Sequence, residues 1–127
     1  FIAVCLLSGY AWMLIAGLIG LWSPSLMPGS TYDAFLHSIL VGFVFSMIFG
    51  HAPMIFPAVT GVKVPYHPTF YVPLILLHIS LITRITGDLL FIPHCRVGGG
   101  ILTAIALVLF ILGTVAAVVR GKQQKKT

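Results

Sequence analysis

The sequence predicts an all-α fold, an integral membrane bundle of four transmembrane helices, and three observations lead to this prediction. Hydrophobic residues make up 59% of the chain and charged residues only 7%, against about 25% charged residues in soluble domains. Four apolar runs are long enough to cross a bilayer, which takes about 20 residues of helix. Stretches rich in proline, glycine and serine separate the runs. We therefore expect residues 1–127 to form a single four-helix membrane domain.

The first two runs are predicted to be helices that span the membrane. The first covers residues 1–22 and stops at a stretch rich in proline and serine. The second covers residues 32–50, and Asp33 near its start suits a helix N-terminus, where a carboxylate meets the positive end of the helix dipole. Pro53 and Pro57 follow, and we expect them to end or kink this helix.

The third and fourth runs complete the predicted bundle. The third covers residues 69–86, with Pro73 in its first turns, where a missing N–H group costs little. The fourth covers residues 101–119 and carries no charge. Between them, Pro93 and the glycine run Gly98–Gly100 predict a turn, because proline and glycine punctuate regular structure.

Basic residues are unevenly distributed, and their distribution predicts the orientation. Four of them follow the last apolar run: Arg120, Lys122, Lys125 and Lys126. Cytoplasmic segments of membrane proteins are enriched in lysine and arginine, so we expect both termini in the cytoplasm, with Arg84 and Arg96 on the outer side. The expected location is a bacterial inner membrane. A nucleic-acid partner is excluded, because the basic residues lack a folded polar platform.

A row of small residues lies along the second predicted helix. Gly42, Ser46 and Gly50 are spaced by four and therefore share one face. Small residues in a membrane helix let another helix approach closely. We expect a helix to lie against this row, from the same chain or from a partner. The expected partners are the lipid bilayer and other membrane subunits.

The sequence offers little for bond-making catalysis. It contains two carboxylates, Asp33 and Asp88, and no Ser/His/Asp arrangement, so acid–base hydrolysis is hard to assemble. Glycine motifs that bind phosphate or dinucleotides are absent from the sequence. We therefore expect no catalytic centre of its own.

Two histidines within the apolar runs are the candidate site residues. At 1.5 Å per residue, His37 lies about 6 Å inward from Asp33, and His78 lies about 9 Å inward from Arg84. On antiparallel neighbouring helices these rings can meet at similar depth. Paired imidazoles can hold the iron of a haem b, and Arg84 can pair with a propionate. The alternative is that each ring bonds a backbone carbonyl or a hydroxyl of a neighbouring helix.

The segment from His37 to Gly61 also resembles a known haem-ligand helix. It reads His37-Ser-Ile-Leu-Val-Gly42, then Gly50, then Pro57-Ala-Val-Thr60-Gly61. This pattern is similar to a helix in subunit I of the haem-copper oxidases and in the nitric oxide reductases, and the NnrS-type membrane haem proteins carry related helices. The resemblance implies that His37 is a low-spin haem ligand. Phe35 stands in place of the second histidine of those families, so no oxygen- or nitric-oxide-reducing centre is implied.

Three functional interpretations remain open at this point. The first is a small membrane subunit that binds one low-spin haem b, with His37 and His78 as axial ligands, for electron transfer in a respiratory-type or photosynthetic-type complex. The second is a cofactor-free accessory subunit that packs against a larger membrane complex. The third is a transporter fragment in which His37 and His78 relay protons.

Overall fold

The computed structural model describes residues 1–25 and 27–124, and these residues form helices and no strand. The long helices, in chain order, are α1 (Ile2–Trp22), α2 (Ser30–Thr60), α3 (Pro68–Leu89) and α4 (Pro93–Gln124). Within the described residues, all four are long and apolar enough to cross a membrane. The predicted all-α bundle of four membrane-spanning helices is therefore confirmed.

Helix α2 continues beyond its predicted end at Gly50. It includes Pro53 and Pro57 and ends at Thr60. Gly61 follows with a φ of +66°, the left-handed conformation that commonly ends a helix. A proline inside a helix removes one backbone hydrogen bond, whereas ending the helix within a membrane would leave several backbone groups unpaired. The helix therefore persists through both prolines.

A π-helical stretch, Ser38–Val44, lies within α2 and directly follows His37. Gly42 belongs to this stretch, and a Cβ atom added to it would lie 2.6 Å from Cβ of Trp12 on α1. The wider π turn thus coincides with the place where the side chain of Trp12 packs most closely against α2. Such π segments are frequent at functional sites.

Helix α4 begins at Pro93, eight residues before the predicted start at Ile101. The predicted turn at Gly98–Gly100 was wrong, since these glycines lie inside the helix. A Cβ atom at Gly99 would lie 2.6 Å from Cβ of Arg84 on α3. The glycine run therefore allows α3 and α4 to cross closely, as small residues do in membrane bundles. Glycine composition alone does not distinguish such a crossing from a turn.

The helices pack in chain order, α1 against α2, α2 against α3, and α3 against α4, with the α3–α4 contact the most extensive. Phe49 of α2 also stacks on Phe110 of α4, with ring centroids 3.9 Å apart. Two core clusters fill the interior, one around Trp12 and Leu81 and one around Phe49 and Phe110. Many large apolar side chains face outward and are exposed, which suits contact with lipid.

Candidate functional site

Charged side chains from three helices meet at one end of the bundle. Asp33 of α2 accepts hydrogen bonds on Oδ2 from Arg84 Nη2 of α3 at 3.0 Å and from Arg96 Nη2 of α4 at 3.1 Å. The two donors are guanidinium groups, and hydrogen bonds between charged groups are about twice as strong as neutral ones. One carboxylate therefore ties α2 to both α3 and α4.

Asp88, the second carboxylate of the sequence, joins the same cluster. Its side chain is fully buried, and its Oδ1 lies 2.5 Å from Arg96 Nε. This contact is an ion pair, and neither oxygen of Asp88 has a hydrogen-bond partner among the described residues. Arg96 Nη1 also donates to the hydroxyl of Ser30 at 3.3 Å. We refer to Ser30, Asp33, Arg84, Asp88 and Arg96 as the ion-pair cluster.

The charges of the ion-pair cluster cancel. Its carboxylates, Asp33 and Asp88, face two arginines, Arg84 and Arg96. Ligand atoms of Asp33, His37 and Asp88 lie within 4.8 Å of one another, a spacing that metal sites share. The two guanidinium groups already neutralise both carboxylates, so a divalent cation would leave the cluster with uncompensated positive charge. The residues therefore fit an ion-pair network better than a metal site.

His37 lies beside the ion-pair cluster. Its Nδ1 donates to the backbone carbonyl of Asp33 at 2.8 Å and lies 3.5 Å from Asp33 Oδ1. Because Nδ1 carries the proton, Nε2 of the neutral ring is left as an acceptor. Ligating histidines usually have this arrangement, in which the second ring nitrogen is held by a carbonyl or carboxylate.

His78 has a different environment, next to α1. Its Nδ1 accepts a hydrogen bond from the indole Nε1 of Trp12 at 3.0 Å, and the two rings stack with centroids 6.4 Å apart. In a neutral ring the proton then lies on Nε2, which is buried without a hydrogen-bond partner among the described residues. Trp12 was not among the predicted site residues, although a buried indole N–H generally needs an acceptor.

The predicted haem site can be tested against these contacts. His37 has the tautomer of an axial ligand, whereas Nε2 of His78 carries a proton and its Nδ1 is taken by Trp12. Arg84, the predicted partner of a propionate, is bonded to Asp33. With these contacts His37 fits the role of an axial ligand, whereas His78 does not. Ligation by both histidines stays a prediction, and it requires Trp12 to release His78.

The row of small residues on α2 faces α1 of the same chain. A Cβ atom at Gly50 would lie 2.9 Å from Cβ of Cys5, and one at Gly42 would lie 2.6 Å from Cβ of Trp12. Ser46 is fully buried between them, and its hydroxyl has no hydrogen-bond partner in the described part of the chain. The helix expected against this row is therefore α1.

A second face of α2 is open to the surroundings of the bundle. It forms an apolar groove with a volume of about 490 Å³, lined among others by Phe43, Met47, Ile48, His51 and Ile55. His51 Nδ1 donates to the backbone carbonyl of Met47 at 2.7 Å, so Nε2 is left as an acceptor. We call this surface the α2 groove. An ionisable ring within a membrane segment is costly to expose to lipid, and His51 is half-buried at this surface.

Comparison with known proteins identifies the family of this chain but does not give it a function. No curated protein and no solved structure matches the chain. The family model that matches is described as "Domain of unknown function (DUF8744)", and the match covers residues 1–119. Because the match spans nearly the whole chain, the protein belongs to the family of the domain of unknown function DUF8744.

Proposed function

We propose that this protein is an accessory subunit of a larger membrane complex, a helical scaffold that needs no cofactor of its own. The observation that carries the proposal is the position of Asp33, which accepts hydrogen bonds from both Arg84 and Arg96. The polar groups available for chemistry at this end are thereby used to hold helices together. The expected location is a bacterial inner membrane with both termini in the cytoplasm.

The ion-pair cluster suits a scaffold because its contacts join helices. Removing one partner of a buried ion pair is costly, since it leaves an uncompensated charge out of water. The cluster therefore opposes any separation of α2 from α3 and α4 at this end.

The α2 groove gives the scaffold a place for a partner. Its lining residues repeat at the spacing of one helix face, with the apolar Phe43, Met47 and Ile55 and the ring of His51 at intervals of four residues. A second transmembrane helix can lie along such a stripe. A hydroxyl or amide donor on that helix would pair with Nε2 of His51 and remove the cost of exposing this ring to lipid.

Site-directed photo-crosslinking in native membranes tests this proposal. A photoreactive residue at Ile48, in the α2 groove, should form one protein adduct of defined mass. The same residue at Ile75, an exposed position on α3 outside the groove, should react with lipid. The adduct from Ile48 should disappear when the groove is filled by Ile55→Trp, at an exposed residue of its lining. If Ile48 reacts only with lipid, as Ile75 does, the scaffold proposal is wrong.

A haem-binding electron-transfer subunit is the second candidate, and the hydrogen bond of His37 favours it. Nδ1 of His37 is held by the carbonyl of Asp33, which leaves Nε2 free to coordinate iron as axial histidines do. The absorption spectrum of the purified protein separates the two candidates. A Soret band that is lost in His37→Ala supports the haem, and a spectrum without a Soret band supports the scaffold.

A further inference from the structure

A second groove lies between α2 and α4, at the end of the bundle opposite the ion-pair cluster. It has a volume of about 410 Å³ and is lined, among others, by Phe56 and Thr60 of α2 and by Phe110, Thr114, Val118 and Lys122 of α4. The four residues of α4 are spaced by four and thus form one stripe along the helix. We call this surface the α2–α4 groove.

The walls of the α2–α4 groove are effectively hydrocarbon. Its two threonines direct their hydroxyl groups to their own helices: Thr60 donates to the carbonyl of Phe56 at 2.7 Å, and Thr114 donates to the carbonyl of Phe110 at 2.8 Å. Threonines that bond back in this way present mainly their methyl groups. The groove can therefore take an apolar chain along its length.

The mouth of the α2–α4 groove carries positive charge. Lys122 lines it and is exposed, and Lys122 forms no ion pair with the residues that the structure describes. The last turns of α4 also pack against the connection between α2 and α3, because a Cβ atom at Gly121 would overlap the carbonyl oxygen of Lys63. Two basic residues, Lys63 and Lys122, are thus brought to the same end of the groove.

Three described basic residues without an ion-pair partner among the described residues, Lys63, Arg120 and Lys122, belong to this end. The sequence has seven basic and two acidic residues, a net charge of +5. Both acidic residues face arginines in the ion-pair cluster at the other end. The five remaining basic residues are Lys63 and the four that follow the last apolar run, Arg120, Lys122, Lys125 and Lys126. Lys125 and Lys126 lie outside the described residues.

The geometry points to a binding site for one anionic phospholipid in the α2–α4 groove. An acyl chain lies between the stripe of α4 and Phe56 of α2, and the phosphate lies at the mouth beside Lys122. A hydrocarbon wall that ends in an ammonium group with no ion-pair partner among the described residues matches the two parts of such a lipid. Basic residues at a membrane surface attract anionic headgroups, each contributing about 1 kcal/mol.

Native mass spectrometry of the purified, delipidated full chain tests this site. Phosphatidylglycerol and phosphatidylcholine with identical acyl chains are added separately, so the lipids differ only in the headgroup. We expect the first lipid adduct to form with about fivefold higher affinity for phosphatidylglycerol, the ratio that one lysine contact provides. Equal affinity for the two lipids would show that the groove does not select an anionic headgroup and would overturn the proposal.

Two charge variants separate the groove from general surface charge. Lys122→Gln should reduce the preference to about one, because it removes the ammonium group at the mouth. Arg120→Gln makes the same change in charge two residues away, at an exposed residue that does not line the groove, and should keep the preference. If both variants lose the preference equally, the lipid is attracted by net charge and the groove is not its site.

A variant that fills the groove tests the position of the acyl chain. Val118→Trp should weaken binding of both lipids, since it occupies the space between α4 and Phe56. Circular dichroism checks that the variant is folded, and Val115→Trp, at a more exposed position of the same wall, serves if it is not. Unchanged lipid binding in a folded, filled variant contradicts the proposal.

Discussion

The indole of Trp12 donates its N–H to Nδ1 of His78 across 3.0 Å and so joins α1 to α3 inside the bundle. Each residue supplies what the other lacks, because a buried indole N–H needs an acceptor and a buried imidazole nitrogen needs a donor. The bond sets the tautomer of His78 and places its remaining proton on Nε2. The bond therefore stabilises the bundle and determines which nitrogen of His78 carries the proton.

We expect Trp12→Phe to lower the free energy of unfolding by about 1–3 kcal/mol, the cost of leaving a buried polar atom without its partner. The measurement is reversible unfolding in detergent. Trp22→Phe is the control, because Trp22 is 90% exposed, and it should change stability little. Combining Trp12→Phe with His78→Leu should cost less than the sum of the single changes; strict additivity would show that the two residues are not coupled.

Gly42 should not tolerate even a methyl group. A Cβ atom there would lie 2.6 Å from Cβ of Trp12 and 3.0 Å from Cδ2 of Leu81, so Gly42→Ala should destabilise the bundle by about 1–3 kcal/mol through overpacking. Gly17→Ala is the matched control, because a Cβ atom at Gly17 would have no neighbour within 4 Å. That change should stabilise α1 by up to about 1 kcal/mol. Equal thermal stability of the two variants would disprove the close contact between α1 and α2.

Asp33→Asn should destabilise the end of the bundle that holds the ion-pair cluster. The amide keeps the shape of the side chain but leaves Arg84 without a countercharge and Arg96 with Asp88 as its only carboxylate partner among the described residues. We expect a loss of about 1.5–3 kcal/mol, the range for hydrogen bonds between charged groups. Hydrogen exchange should increase most near Ser30 and Arg96, the starts of α2 and α4. Arg120→Gln, at an exposed position, is the control, and a comparable loss there would argue against the network.

The haem hypothesis makes a spectroscopic prediction. If haem binds, the purified protein should show a low-spin b-type spectrum that carbon monoxide does not change, because two histidines fill both axial positions. His37→Ala and His78→Ala should each abolish it, whereas His51→Ala and His67→Ala should leave it unchanged. A Soret band that persists in both His37→Ala and His78→Ala would contradict ligation by this pair.

Replacement of Trp12 adds a second spectroscopic test of the haem hypothesis. Ligation by His78 requires the indole to give up its hydrogen bond to Nδ1 of this ring. Trp12→Phe should therefore increase haem occupancy of the purified protein if both histidines are ligands. An occupancy that stays the same or falls in Trp12→Phe would argue against His78 as a ligand.

The predicted orientation can be checked by labelling in intact cells. After Cys5 and Cys95 are replaced by serine, a single cysteine placed after Lys126 should resist a membrane-impermeant thiol reagent, because the basic tail is expected in the cytoplasm. A single cysteine at Met27, exposed in the connection between α1 and α2, should react. The reverse pattern would show the opposite orientation.

The membrane class and the number of helices follow from the sequence by itself. A bilayer demands about 20 apolar residues for each crossing and leaves no backbone group unpaired, so a long apolar run has a single stable conformation. The row of Gly42, Ser46 and Gly50 could also be predicted, since the spacing and the side-chain size of these residues can be read from the sequence of one helix. The ends of the helices were harder to predict. Pro53, Pro57 and the Gly98–Gly100 run are residues that end helices in soluble proteins, but in this packed membrane bundle they lie inside helices.

The partners of the polar side chains were decided only by the tertiary structure. Arg84 bonds to Asp33, 51 residues away in sequence, and Trp12 bonds to His78, 66 residues away. Sequence periodicity gives the face and depth of a side chain on its own helix, which is how His37, His78 and Arg84 became candidates. Which neighbour completes each hydrogen bond depends on crossing angles and rotamers that the packing of all four helices determines together, and no single helix carries that information.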